Sequence, residues 1–462
     1  MSKGNASGGF AATLNRKFKL KENNSSVKTE FVGGLTTFLT CIYIIAVNPA
    51  ILSACGMDAK SVFWATAISA GISCIAMGLL TNYPFALAPA MGVNSYFAFH
   101  VCGQLGLSWE NALGCTLVSG IIFIILSLLG VQERIINAIP DYIKHAISAA
   151  IGFFIAFSGL NNAHIIAHDD ATLLTMGDLS NPGALLALFG IVLTIVLSIR
   201  KVKGSILIGI LAVTALGLFV TTPETGLPYT SWPAGGLLAF DNPMVAMAPT
   251  FGKLNFKGMF STPSIALGSI FTMVSFLFMD LFNSIGVLIG VGSKAGFLNE
   301  KGEFPRAGQA LMVSAGGAAL GAVLGTNTVT VYGAESSTGI AEGGRTGLTA
   351  VFIGLLFFAS TFLSPLFLMI PALATTPALV MVGVFMIEPL CWVDLSDITK
   401  AFPVFLCVAI MAFTFNITYG IVFAMLGYAI AEIAAGRGKK IDPVMWGMTI
   451  LFAAYLILEF TF

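Results

Sequence analysis

Two acids stand inside long apolar stretches: Asp280, in Phe276-Leu-Phe-Met-Asp-Leu-Phe-Asn-Ser-Ile-Gly286, and Glu335, which ends Gly325-Thr-Asn-Thr-Val-Thr-Val-Tyr-Gly-Ala-Glu335. Charge at membrane depth is expensive and points to function. No basic residue in the apolar segments stands ready to neutralise Asp280. A buried carboxylate without a cation binds a proton more readily than one in water, the property that a proton-coupling site needs. Glu335 falls in the first turn of a helix if one restarts near Ala334, where free N–H groups and the dipole favour negative charge. Ionised, it offers acceptors only and suits a ligand edge carrying N–H donors.

Polar neighbours extend the set. Asn94 follows Pro89 and Gly92 in a matching first turn and can both donate and accept, as the edge of a heterocycle requires. Asn283 and Ser284 lie one turn beyond Asp280 and share its face at i+3 and i+4. Phe282, Tyr96, Phe97 and Phe38 could stack on a flat ring, although among 38 Phe any one of them is a packing residue first. Thr36, Thr37 and Thr40 supply hydroxyls whose expected use is bonding between helices. His100 reads as a satisfied core residue rather than a proton relay. Gly343-Gly-Arg-Thr-Gly347 is a tight turn, too short for a phosphate-binding loop and without a preceding strand. No Ser/His/Asp set, metal cluster or nucleotide fingerprint accompanies these residues, so the chain is not expected to be an enzyme or to hold a metal or cofactor, a proton as coupling ion excepted.

The elements that must position these residues are membrane helices. Of 462 residues, 57% are hydrophobic and only 10% charged, against roughly 25% in a soluble protein. Net charge is zero, which gives no argument for nucleic acid as a partner. Seven cysteines without a CxxC spacing read as small apolar packing residues. Fourteen apolar segments are expected, near 31–54, 61–80, 85–102, 110–130, 142–160, 183–199, 204–221, 263–292, 308–324, 326–341, 346–364, 372–387, 401–415 and 417–435. A further stretch, 445–461, either spans the membrane or lies along its interface.

The third and tenth segments are short and broken, the third by Pro84, Pro89 and Gly92, the tenth by a run of Thr, Val and Gly. Lipid tolerates non-helical backbone only where it is buried in protein or lines a wet cavity. Paired breaks in two halves point to a transporter's binding site. With the N-terminus inside, all but Lys60, Lys253 and Lys257 among the 22 basic residues fall on the inner side, as the positive-inside rule demands. The polar first 30 residues then form a cytoplasmic tail. Because seven is odd, two halves of seven enter the membrane from opposite sides. The fold class expected is therefore an all-α polytopic membrane protein, a seven-plus-seven inverted-repeat transporter of about 14 segments.

The motifs Phe31-Val-Gly-Gly-Leu-Thr-Thr-Phe-Leu-Thr40 with Val47-Asn-Pro49, Ala86-Leu-Ala-Pro-Ala-Met-Gly-Val-Asn94, Asp280-Leu-Phe-Asn-Ser284 and Glu335-Ser-Ser-Thr-Gly339 resemble those of the AzgA-type purine permeases. The resemblance runs from about Phe18 to the end of the chain. It implies a core domain from 31–130 and 263–364, a gate domain from 131–222 and 365–436, and a basic turn with an apolar segment over 437–462. It also implies proton-coupled uptake of adenine, guanine or hypoxanthine at a cell membrane, with Asn94, Asp280 and Glu335 as carried-over binding residues. Expected partners are a purine nucleobase, the lipid bilayer and a second copy of the chain as a homodimer. Two departures stand out. The family commonly has Asp at the position of Asn283, and one residue fewer between Tyr332 and Glu335. Within a helix that extra residue would rotate Glu335 by about 100°, whereas an extended Gly333 would absorb it. A carrier or channel for inorganic anions on the same fold is the alternative, because paired helix N-termini also suit an anion; it would want a basic residue near the breaks. A non-transporting receptor is a third reading, poorly matched to acids within the membrane.

Overall fold

The computed structural model describes residues 7–130, 138–169, 172–202, 204–223, 225–233, 236–297, 304–414 and 416–461, apart from some side chains within helices. Residues 131–137, at the head of the first expected gate segment, lie outside them. Among the described residues, ten helices are long and apolar enough to cross a membrane, from Val27–Ser53 to Ile417–Ala434. The other four expected segments are the two broken ones and two shorter apolar helices, Ser205–Leu216 and Ile398–Phe413. The stretch expected at 445–461 is a helix, Pro443–Thr461. The chain ahead of the first span is not featureless: it forms a helix, Ser7–Phe18, and Phe18 and Leu20 pack against Leu348.

The two broken segments pair with each other. Strand β1 (Ala86–Pro89) of the first half runs antiparallel to a strand of the second half, Val329–Tyr332, in the register Ala86 to Tyr332 and Pro89 to Val329. Between them in sequence lies a surface hairpin of β2 (Ile166–Asp169) and β3 (Leu173–Met176), so the second-half strand is β4. All eight ribbon residues are buried. A buried ribbon has two open edges, and unpaired backbone there costs as much as a lost hydrogen bond. Side chains close them. Cys74 Sγ accepts from Leu87 N at 3.1 Å and Ser336 Oγ accepts from Ala86 N at 2.9 Å. On β4, Asn283 Nδ2 donates to Val331 O at 3.3 Å, and the Tyr332 hydroxyl reaches across to donate to Pro89 O of β1 at 2.6 Å. Short helices leave the ribbon on either side, Met91–Ser95 (continuing as a π-helix, Tyr96–Gln104) and Ala334–Ala341.

Small residues let the surrounding helices approach. A Cβ on Gly78 of Ala59–Thr81 would lie 2.2 Å from Gly347 O, so this crossing with Gly347–Ser360 admits only glycine there. The N-terminus of that second helix is capped from afar. Glu30 is fully buried, and its carboxylate accepts from the backbone N–H of Arg345, Thr346 and Thr349 at 3.1, 3.2 and 3.2 Å and from the Thr349 hydroxyl. Glu30→Ala leaves several buried donors without an acceptor, at a cost of about 1–3 kcal/mol. The expected result is a lower melting temperature in detergent, with Glu30→Gln, which keeps one acceptor oxygen, falling between the two. Equal melting of wild type and Glu30→Ala would show that water replaces the carboxylate.

Candidate functional site

The ribbon and the two helix starts form one wall of a cavity of about 210 Å³. Ala90 to Val93 enter from one break, and Thr330 to Gly333 with Glu335 from the other. Met279, Asn283 and Val287 line it from the long helix Pro263–Lys294, spaced i, i+4, i+8 along a single face. Opposite stand Ile151 and Ile155 of Asp141–Asn162, and Val382, Phe385 and Met386 of Thr376–Ile387. Tyr43 completes the lining from the short interruption between the helices Val27–Cys41 and Ile44–Ser53.

Glu335 sits as the sequence predicts. The helix restarts at Ala334, so the carboxylate is in its first turn. Gly333 is the residue before it, with φ −92° and ψ −62°, so it is helical rather than extended. The absorption by an extended Gly333 therefore does not occur, and Glu335 lines the cavity all the same. Its side chain is buried, and Oε1 accepts from the Tyr43 hydroxyl at 2.8 Å. Sequence reasoning missed Tyr43; nothing in its neighbourhood announces a helix break except Pro49, six residues on.

Asn283 lines the cavity and Asp280 does not. Asp280 is 2% exposed and does not line the cavity; its Oδ2 accepts from Thr328 Oγ1 at 2.6 Å, and Oδ1 has no partner among the described residues. Ser284, four residues on, shares that direction and bonds Ser314 and Thr330 hydroxyls at 2.7 and 3.0 Å, behind the ribbon. Asn283 also borders the cavity, beside Met279. The three share one face, as expected of i, i+3 and i+4: Asp280 meets Thr328, and both Ser284 and Asn283 reach Thr330 Oγ1. The amide nitrogen of Asn283 is fixed by a carbonyl, which only a donor can satisfy, and it also reaches Thr330 Oγ1 at 2.9 Å. It does not donate to Asp280. The side chain of Phe282 lies outside the described residues.

Asn94 is fully buried one residue past those that line the cavity, and neither amide atom has a hydrogen-bond partner among the described residues. Leaving such a group unpaired is costly. His100 is satisfied, as expected: Nδ1 pairs with Gln104 Oε1 at 2.6 Å and Nε2 with Asn416 Nδ2 at 3.2 Å, which a ring protonated on Nδ1 serves at both ends. Tyr96 stacks on it, 4.8 Å between centroids, and bonds the Thr418 hydroxyl at 2.8 Å. Phe97 stacks on Phe276, and Phe38 meets Phe357 edge-on, so these rings pack rather than face the cavity. Thr40 bonds Thr338 at 3.1 Å, the interhelical use expected of it.

A second cavity, about 590 Å³, is lined by Thr36, Thr40, Lys201 and Glu342, and it shares Glu335 and Phe385 with the first. The acid of the ribbon helix therefore borders two spaces.

Comparison with known proteins places this architecture. The model of the Permease family (Xan_ur_permease) matches residues 28–423. The putative permease MJ0326 of Methanocaldococcus jannaschii is 41% identical, over 95% of this chain and 97% of its own. Adenine permease AdeQ of Escherichia coli K12 is 38% identical, over 97% of both chains. Guanine/hypoxanthine permease PbuG of Bacillus subtilis 168 is 37% identical, over 95% of this chain and 98% of its own. Among solved structures, the transmembrane domain of the cyanobacterial bicarbonate transporter BicA superposes with a TM-score of 0.60 at 15% identity, covering 86% of this chain and 96% of that one. SLC26A9 follows at 0.57 and 10%, covering 94% and 70%. At those identities the likeness concerns the fold alone, the seven-plus-seven inverted repeat.

Proposed function

This chain belongs to the Permease family, and from that premise we propose that it is a proton-coupled carrier of purine nucleobases, working by alternating access in a cell membrane with its N-terminus in the cytoplasm. It is a multi-pass membrane permease rather than an enzyme. Guanine and hypoxanthine are the favoured cargo, and the core and gate division that the family resemblance implies describes the moving parts. A homodimer is the proposed assembly.

One observation carries the reading. Glu335 places an acceptor-only group at a helix start, on the wall of a buried cavity, with one oxygen held by Tyr43. A 6-oxopurine offers N1–H to such a group, whereas adenine presents a lone pair at N1. Asn94, buried with both amide ends unpaired, is proposed as a second contact once cargo arrives. The anion reading finds less support. The lining of the smaller cavity includes Glu335 and Glu388 but no Lys or Arg among the described residues, which would repel an anion rather than hold it. The test is uptake of labelled hypoxanthine, guanine, adenine, xanthine and uracil into cells lacking their own carriers. Uptake of none of the purines would overturn the reading, and a clear adenine preference would overturn the order.

Asn283→Asp restores what the family commonly carries, yet the expected outcome is loss. The Asn283 amide donates to Val331 O, and an ionised Asp there would set one oxygen against another. Only the protonated form can donate, so hypoxanthine uptake should fall more steeply than wild type as pH rises from about 5 to about 8, the range spanning ordinary and raised carboxyl titration. A wild-type pH profile and affinity would show that the ribbon edge does not need this donor.

A further inference from the structure

Tyr43 is a cavity residue outside the carried-over binding set, and its hydrogen bond joins the two halves of the chain across 292 residues of sequence. The ring is 1% exposed, so its position is set by packing as well as by the bond. Its hydroxyl donates to Oε1 of Glu335 at 2.8 Å. No other side chain among the described residues donates to that carboxylate. One oxygen is therefore engaged by a side chain, and the only further bond to the carboxylate among the described residues comes from the backbone N–H of Glu335 itself.

We propose that Tyr43 is a specificity-determining positioning residue: by engaging Oε1 it makes Glu335 a one-oxygen acceptor, matched to a purine edge with a single N–H. The proposal rests on the purine reading above. A carboxylate with both oxygens open takes a two-donor edge in a bidentate pair, which is the stronger arrangement. Guanine carries such an edge in N1–H and its 2-amino group, whereas hypoxanthine carries N1–H alone. Engaging Oε1 denies guanine most of the benefit of its second donor and holds the carboxylate in the rotamer that serves the first. The phenol hydroxyl thus narrows the difference between the two bases.

The test titrates guanine and hypoxanthine against detergent-solubilised wild type, Tyr43→Phe and Tyr43→Met; the last is an unbranched apolar side chain that serves if the Phe variant does not purify. Removing the hydroxyl should raise the ratio of guanine to hypoxanthine affinity by about tenfold, the effect of one hydrogen bond to a charged group. Hypoxanthine affinity itself should fall as the carboxylate loses its anchor. A tyrosine that only packs would weaken both bases by one factor, so an unchanged ratio, or one moved toward hypoxanthine, overturns the proposal. Wild type that binds neither base overturns the purine reading beneath it. Because wild type is titrated first, the two failures are told apart.

Discussion

Glu335→Gln is expected to lower affinity for guanine and hypoxanthine by roughly 10- to 150-fold, the span of a hydrogen bond to a charged group. The substitution is nearly isosteric. The Tyr43 hydroxyl, which donates to Oε1, can donate equally to the amide oxygen of Gln, so the helix start should remain in place. What changes is the other end of the group. An NH2 replaces the oxygen left for the cargo, and the N1–H of a 6-oxopurine then meets a donor instead of an acceptor. Adenine, with a lone pair at N1, should lose less, and the order of the bases should compress or invert. Overall similarity cannot decide this order, since AdeQ, an adenine permease, is 38% identical and PbuG, a guanine/hypoxanthine permease, 37%. Titration of solubilised wild type and variant with all three bases measures it. Unchanged hypoxanthine affinity in the Gln variant would move recognition away from Glu335.

Much of this arrangement was legible in the residues because the signals are local. Proline and glycine at 84, 89 and 92 and the Thr-Val alternation after Gly325 mark breaks by backbone chemistry alone, and the breaks fall where β1 and β4 form. The first-turn position of Glu335 follows from the same breaks. What stayed hidden depends on partners far away in sequence. Glu30 reads as the end of a polar tail, yet it is fully buried, because its partners are mainly backbone N–H groups that leave no trace in residue type. That the two breaks would pair with each other follows from no periodicity in either. Tyr43 is invisible for a related reason: a helix interrupted for two residues, Ile42 and Tyr43, without a proline or glycine between, is a product of packing. Asn283 lies within about 60° of Asp280 around the helix, since three residues turn through about 300°, so spacing alone does not tell which of the two borders the cavity.

Asp280→Asn should abolish accumulation of purine against its gradient while leaving exchange of base for base. Asp280 does not border the cavity that Met279 and Asn283 line; it meets Thr328 at the foot of β4, 2% exposed and with one oxygen unpartnered among the described residues. A group so placed has little to offer cargo directly. It does touch Thr328, the residue that leads into β4 and so toward Thr330 and Glu335 on the cavity wall. Uncompensated charge in that setting is costly, and a proton taken up or released there alters how firmly the ribbon is held. Asn keeps the shape, and its carbonyl can still accept from the Thr328 hydroxyl, so folding and cargo binding should survive. It cannot carry a proton, and coupling should be lost. Proteoliposomes with an imposed pH gradient separate the two activities: uphill uptake should disappear in Asp280→Asn while preloaded hypoxanthine still exchanges with labelled hypoxanthine outside. Uphill uptake at the wild-type level would place the coupled proton on another carboxylate, and Glu335, which borders both cavities, would be the next to test.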